Sequence, residues 1–257
     1  MRAESLFVSD LHLSAATPEA LTRFLGFLSN RAAEASALFI LGDLFDVYLG
    51  DDDRSSPFRD IRMALRALSD RGVRIFLQHG NRDFLIGDEF LQATRATLLA
   101  EESVIDLHGR PTLLCHGDLL CSDDVDYLKA RARVRTPEWK AHALSKPLWM
   151  RRLYARWYRF KSGRDKDKKT QDIMDANEST IVSKALRFGV DHLIHGHTHR
   201  PGLSRHAYEK GTLDRWVLPE WNGLEWLLVV DERGARAEPL SALSQVPSRP
   251  SVAEAIS

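Results

Sequence analysis

The chain has 257 residues, 44% hydrophobic and 28% charged, which is long enough to bury one full core and ordinary for a water-soluble globular protein. Its two cysteines, Cys115 and Cys121, exclude a disulfide framework and fit a reducing cytosol best. The opening MRAESLFVSD has no basic stretch leading into an apolar run, and no window approaches ~18 uninterrupted apolar residues, so neither a signal peptide nor a membrane span is expected.

In chain order, Ser5-Leu6-Phe7-Val8 reads as a buried strand. Thr17 as N-cap and Pro18 at the first helical position then open a helix whose inward face is Leu21, Phe24, Leu25 and Leu28. Leu38 to Leu41 is the second strand, and Ser56-Pro57 opens a second helix with Ile61, Leu65 and Leu68 inward, stopped at Gly72. Val73 to Leu77 is the third strand. This β-α-β-α-β order predicts parallel pairing with right-handed crossovers.

After Ser103 the pattern changes to hairpins. Val104–Leu107 and Thr112–Cys115 flank the turn sequence His108-Gly109-Arg110-Pro111, while Asp214–Leu218 and Glu225–Val230 flank Trp221-Asn222-Gly223, an Asn-Gly hairpin signal. The expected fold class is therefore α/β, with two sheets face to face and helices outside. Residues 1–240 read as one catalytic domain and 241–257 as a loose C-terminal tail rich in Ser, Pro and Ala.

The interval 122–189 fits neither pattern and reads as an inserted helical cap. The balanced net charge hides its character. Between Lys129 and Lys169, fifteen cations face only Glu138, Asp165 and Asp167, a local charge of +12 that predicts an anionic partner. Trp149, Leu153, Trp157 and Phe160 recur there at helical spacing, with Arg151, Arg152, Arg156 and Arg159 between them. Such a stripe either packs the cap on the body or, as a basic amphipathic helix with interfacial aromatics, meets a membrane surface; the second reading is favoured. A base-stacking groove fits it less well, so no nucleic-acid partner is expected.

Five strands end in polar clusters: Asp10-Leu11-His12, Gly42-Asp43, Gly80-Asn81-Arg82-Asp83, His116-Gly117-Asp118 and His195-Gly196-His197-Thr198-His199. Ligands of open α/β sheets bind beyond the carboxyl ends of strands, so these clusters should converge. Their carboxylate, imidazole and amide groups suit Mn²⁺, Fe²⁺ or Zn²⁺, and the lack of thiolates argues against a structural zinc. If the backbone stays extended, the members of Asp10-x-His12 and of His197-x-His199 point to one side. His79 and His195 are expected to support ligands rather than be ligands. His108, His142, His192 and His206 are read as ordinary polar residues.

The series Asp-x-His, Gly-Asp, Gly-Asn, His, Gly-His-x-His resembles the calcineurin-like metallophosphoesterase superfamily over Ser5 to His199. The resemblance implies a four-layer αββα sandwich and a two-metal centre. Asp10, His12, Asp43 and His199 would hold one metal, and Asp43 as the bridge, with Asn81, His116 and His197, the other. This chain has Arg82 where the superfamily usually has histidine after Gly-Asn, and it lacks the common glycine after the second-strand aspartate. An arginine stays charged and forks onto phosphate, so Arg82 should clamp substrate rather than shuttle a proton.

The runs SDLHLS, LGDLFDVYLGDD, QHGNRDFLIG, LCHGDLLCSDD and LIHGHTHRP resemble the branch of the superfamily that cleaves a lipid-linked sugar nucleotide in lipid A biosynthesis. That resemblance implies a two-Mn²⁺ pyrophosphate hydrolase, peripheral on the cytoplasmic face of the bacterial inner membrane. Asn81, Arg82 and His197 would stand at the chemistry, and Asp124, Ser162, Lys166 and Lys169 would join them in contacting substrate. The rival readings are another metal-dependent phosphodiesterase or nucleotide pyrophosphatase of the superfamily, which needs no acyl chamber, and a metal-free interaction scaffold, which would lack ligands.

Overall fold

In the computed structural model, described for residues 4–166, 175–209, 211–221 and 226–240 with the side chains of 158–166 left aside, two sheets face each other. Strands β1 (Ser5–Val8), β2 (Ala37–Leu41), β3 (Arg74–Gln78) and β4 (Thr97–Leu98) pair in parallel. The sheet is extended on the other side of β1 by β10 (Trp226–Asp231) and β11 (Gly234–Pro239), both antiparallel, giving the order β11-β10-β1-β2-β3-β4. The second sheet has the order β5-β6-β7-β9-β8, from β5 (Glu102–Asp106), β6 (Pro111–Cys115), β7 (His192–His195), β8 (Gly202–Tyr208) and β9 (Gly211–Val217).

Three apolar clusters define the layers. Phe7, Phe39 and Leu41 of the first sheet meet Leu114, Ile194 and Leu218 of the second. The other face of the first sheet, with Leu6, Val8, Leu38, Ile40 and Ile75, is covered by α1 (Pro18–Ser29), α2 (Phe58–Asp70) and α3 (Asp88–Thr94). The outer face of the second sheet, with Leu113 and Leu193, is covered by α7 (Glu178–Phe188) through Ile181 and Ala185. Both faces of β1 and β2 are therefore buried, which is why they read as unbroken apolar runs rather than alternating ones. The expected αββα sandwich is the one observed.

Within 122–189, α4 (Val125–Val134), α5 (Pro137–Leu144) and α6 (Leu148–Lys166) precede α7. Whereas α7 belongs to the sandwich core, α4 buries only Arg131 and α5 buries nothing fully. Trp139 of α5 packs half-buried against Phe84, whereas α6 is fastened by charge. Arg151 donates to the carbonyl of Leu49 and to Asp52, and Arg152 reaches Asp53 at 2.8 Å.

Two local expectations fail. Thr17 precedes α1 but makes no side-chain cap bond, because its hydroxyl engages Ser14, at 3.1 Å from the Ser14 hydroxyl. The second expected hairpin does not exist: Asp214–Val217 lies in β9 and Trp226–Val230 in β10, in different sheets. The chain crosses between sheets at Leu218 to Trp221 because Leu218 N donates to His195 O at 2.7 Å and Trp221 packs between Phe24 and Phe27. Burial of that indole and pairing of β10 with β1 outweigh the local turn signal; residues 222–225, with the Asn-Gly pair, lie outside the described residues.

Candidate metal centre

The loops after β1, β2, β3, β6 and β7 meet at one end of the sandwich. Asp10 N donates to Gly42 O and His12 N to Asp43 O, so the first two loops run side by side beyond their strands. Asp83, fully buried, ties the next pair by accepting Gly80 N at 2.8 Å and Leu44 N at 2.7 Å. Gly196 N donates to His116 O at 2.8 Å and brings the two later loops together. Glycine is required where these loops touch: a Cβ at Gly80 would lie 2.1 Å from Asp43 Oδ1, and one at Gly196 2.2 Å from Asp10 Oδ2.

The backbone differs from the extended form expected for the two alternating motifs. Asp10, His12, Asp43, His197 and His199 all have positive φ, between 47° and 67°. Each such non-glycine residue costs of order 1–3 kcal/mol, and such outliers cluster at ligand-holding sites. The paired side chains converge by left-handed turns after the strands rather than by strand alternation.

All seven expected metal ligands come together. Asp10, His12 and His199 form one group whose donor atoms lie within 4.8 Å of one another, and Asp10, Asp43 and His116 form a second. Asp10 is common to both groups, while Asp43 Oδ2 stands 3.8 Å from both His12 Nδ1 and His116 Nε2. Asn81 Oδ1 lies 3.1 Å from His116 Nε2 and 3.1 Å from His197 Nδ1.

Three observations show that these donors fit divalent cations. Asp10 Oδ1 and both ring nitrogens of His12 are buried with no hydrogen-bond partner, a costly arrangement unless something else satisfies them. His116 donates Nδ1–H to Leu41 O at 2.8 Å, so a neutral ring turns the lone pair of Nε2 toward the carbonyl oxygen of Asn81. Donation of the second ring nitrogen to a backbone carbonyl is how metal-binding histidines are oriented. The set is oxygen and nitrogen only, as expected for Mn²⁺, Fe²⁺ or Zn²⁺.

The electrostatics agree. Burial pushes the Asp43 carboxyl up to about 7, with Asp83 and Asp10 adding and His116 opposing. Burial also opposes ionisation of Asp10, yet His199, whose Nε2 lies 3.5 Å from Oδ1, and the charge of His116 hold it well below the usual carboxylate range. Burial lowers His12 and His197 to about 4, so both are neutral donors at pH 7. His116 is the exception: burial works against its charge, but Asp43 and Asp10 raise it. A cation bound there would compete with a proton for His116.

Around the ligands, His195 is fully buried, accepts Arg215 Nε at 2.8 Å and donates Nδ1–H to Gly196 O, so it supports the loop and binds nothing in the centre. His79 is likewise held by Ile86 O. Sequence reasoning missed Glu220, whose Oε2 is 3.1 Å from His199 Nδ1, and Asp118, which holds Tyr127 and Arg131. Glu220 lies in the crossover between the two strands expected to form a hairpin, and no local signal could have found it.

Of the expected substrate contacts, Arg82 is half-buried beside the centre, its guanidinium 2.8 Å from Asp46 and 3.6 Å from Asp43. Asp124 caps α4 by accepting Tyr127 N. The side chains of Ser162 and Lys166, and Lys169 altogether, lie outside the described residues.

The sequence profile of calcineurin-like phosphoesterases matches residues 5–201. A UDP-2,3-diacylglucosamine hydrolase of Cellvibrio japonicus is 43% identical over 230 residues, 90% of this chain and 96% of that one. Hydrolases of the same name from Haemophilus influenzae and Edwardsiella ictaluri are 44% and 42% identical, over 96% and 95% of their lengths. With the family profile spanning every strand that leads into the centre, and with all seven donors convergent, the chain belongs to the calcineurin-like phosphoesterase family.

Proposed function

We propose that the protein hydrolyses the pyrophosphate bond of UDP-2,3-diacylglucosamine, with water attacking the α-phosphorus to give UMP and 2,3-diacylglucosamine 1-phosphate in lipid A biosynthesis. The observation that carries the reading is the near-full-length similarity to hydrolases named for that substrate, combined with the convergence of carboxylate, imidazole and amide donors. Two divalent cations, Mn²⁺ in this proposal, would supply a water ionised at neutral pH and counter-charge for the phosphoryl oxygens. One would be held by Asp10, His12, Asp43 and His199, the other by Asp43, Asn81, His116 and His197.

The chain's own part is placement. Arg82, held at one edge by Asp46, presents the rest of its fork to a phosphate. Asn81 and His197 would adjoin the same phosphorus, and Asp124, Ser162, Lys166 and Lys169 would extend the contact into the inserted segment that precedes α7. No helix among the described residues is long and apolar enough to cross a membrane. A peripheral association with the cytoplasmic face of the inner membrane is supported by exposed Trp149, Leu153, Tyr154 and Trp157 on α6, in a strongly basic segment.

The test is hydrolysis of UDP-2,3-diacylglucosamine with Mn²⁺ in ¹⁸O-water, with both products analysed by mass. Label in UMP alone is expected. Label in the sugar phosphate would place the attack on the other phosphorus, and no turnover would remove the substrate assignment.

A further inference from the structure

Asp118 sits two residues beyond His116, at the start of a 3₁₀ turn, 2% exposed. A buried carboxylate at that depth needs partners, and among the described residues its side-chain partners come from α4 or the residue that ends it. The hydroxyl of Tyr127 donates to Asp118 Oδ2 at 2.7 Å, Arg131 Nε donates to the same oxygen at 2.6 Å, and Arg135 Nη2 lies 3.9 Å away. Arg131 and Arg135 also share Glu101, at 3.0 and 3.1 Å.

Two of these three side chains, Tyr127 and Arg135, reach back to the centre. The Tyr127 ring lies near-parallel to the His197 ring, 6.3 Å between centroids and 30° between planes. Arg135 Nη2 donates to Gly80 O at 2.7 Å, immediately before Asn81. Asp124, which begins α4, is one turn from Tyr127 and capped onto its amide. With no fully buried apolar residue in α4, this ionic hub is what sets the position of the helix.

We propose that Asp118 is a positioning residue for the reaction: it latches α4 against the loops of Asn81 and His197, so that the cap and the metal centre present one continuous surface to the substrate. The proposal rests on the reading that the substrate spans both. Asp118 touches no reacting atom in this account and acts through Tyr127, Arg131 and Arg135.

Two measurements on the full-length, Mn²⁺-loaded protein test it. In the first, hydrogen exchange compares wild type with Asp118→Asn. Faster exchange confined to Val125–Val134 and the Gly80 loop is expected, and unchanged exchange in α4 would overturn the latch. In the second, steady-state kinetics on UDP-2,3-diacylglucosamine at fixed micelle composition should show KM raised about tenfold or more for Asp118→Asn, since truncating one side of a buried charged pair commonly costs at least that. The turnover number should stay within about threefold and metal content unchanged, a split between KM and kcat that general destabilisation does not produce.

Adding Arg131→Gln to Asp118→Asn should cost little more than the single change, because the two act as one unit. Additive losses, or a fall in kcat with loss of metal at unchanged KM, would show that Asp118 acts on the centre directly and would overturn the proposal. If Asp118→Asn does not fold, Tyr127→Phe, which deletes one hydroxyl and keeps the ring, carries both measurements with the same expected direction. Absence of turnover in the wild type would sink the substrate reading alone, and the exchange experiment would still decide the latch.

Discussion

Replacing Asp43 by asparagine should make the metal-free protein more stable while abolishing its activity. The carboxyl is 2% exposed and held near 7 by burial, against an ordinary value of 3.8. At 1.36 kcal/mol per pKa unit, the fully ionised group costs the fold at most about 4 kcal/mol. Part of that belongs to the pair it forms with Asp10, and the variant also loses the attraction to His116, so a gain of about 2 kcal/mol is expected. Asparagine tolerates the positive φ of 52° at this position and can still accept the Arg82 amide, so the change tests charge rather than backbone.

A carboxyl whose folded pKa lies above its unfolded value binds more protons in the native state between the two. Its contribution to stability therefore falls as pH rises from about 4 to about 7 and is level above. In EDTA the variant should melt with the wild type at pH 4 and above it at pH 8, by about 4–8 °C for a chain of this size. Excess Mn²⁺ should reverse the order, since binding to the native state at a thousandfold over Kd adds about 4 kcal/mol that the variant forgoes. Calorimetric melts with and without metal, plus metal analysis, read this directly. A metal-free variant that melts well below wild type at pH 8, or one that Mn²⁺ stabilises as much as wild type, would refute the assignment of Asp43 to the centre.

Gly80→Ala places a Cβ 2.1 Å from Asp43 Oδ1 and 2.3 Å from Asp43 N, so the loop must shift. A loss of about 1–3 kcal/mol in stability and most of the activity is expected, and near-normal kinetics would contradict the close approach. Glu220→Gln should weaken metal binding about 10–100-fold by removing the carboxylate behind His199, as measured by the Mn²⁺ concentration needed for half-maximal activity. Replacing Trp149 and Trp157, 65% and 55% exposed, by serine should lower co-sedimentation with anionic phospholipid vesicles about tenfold without changing the melting temperature. Unchanged co-sedimentation would return α6 to the role of a solvated surface helix.

The sequence alone determined the sandwich and which polar clusters meet at its end, because both are local signals. Strands buried on two faces appear as continuous apolar runs, and the residues that follow them must lie at the sheet edge where ligands bind. That pointed to Asp10, His12, Asp43, Asn81, His116, His197 and His199 as neighbours, and the structure brings these side chains together. Only tertiary structure decided how they converge: Asp10, His12, Asp43, His197 and His199 take positive φ in loops tied to one another by backbone bonds, a conformation that Asp and His tolerate but that no local pattern announces. The Asn-Gly signal near 222 pointed to a hairpin, but pairing of β10 with β1 and burial of Trp221 sent the chain to the other sheet and carried Glu220 to His199. The cap cations looked alike in sequence, yet Arg131, Arg135 and Arg151 fasten helices to the body while Arg156 stays at the surface. A charge has no period to read, and its role is fixed by the distant residue it meets, which is why the hub at Asp118 became visible only in three dimensions.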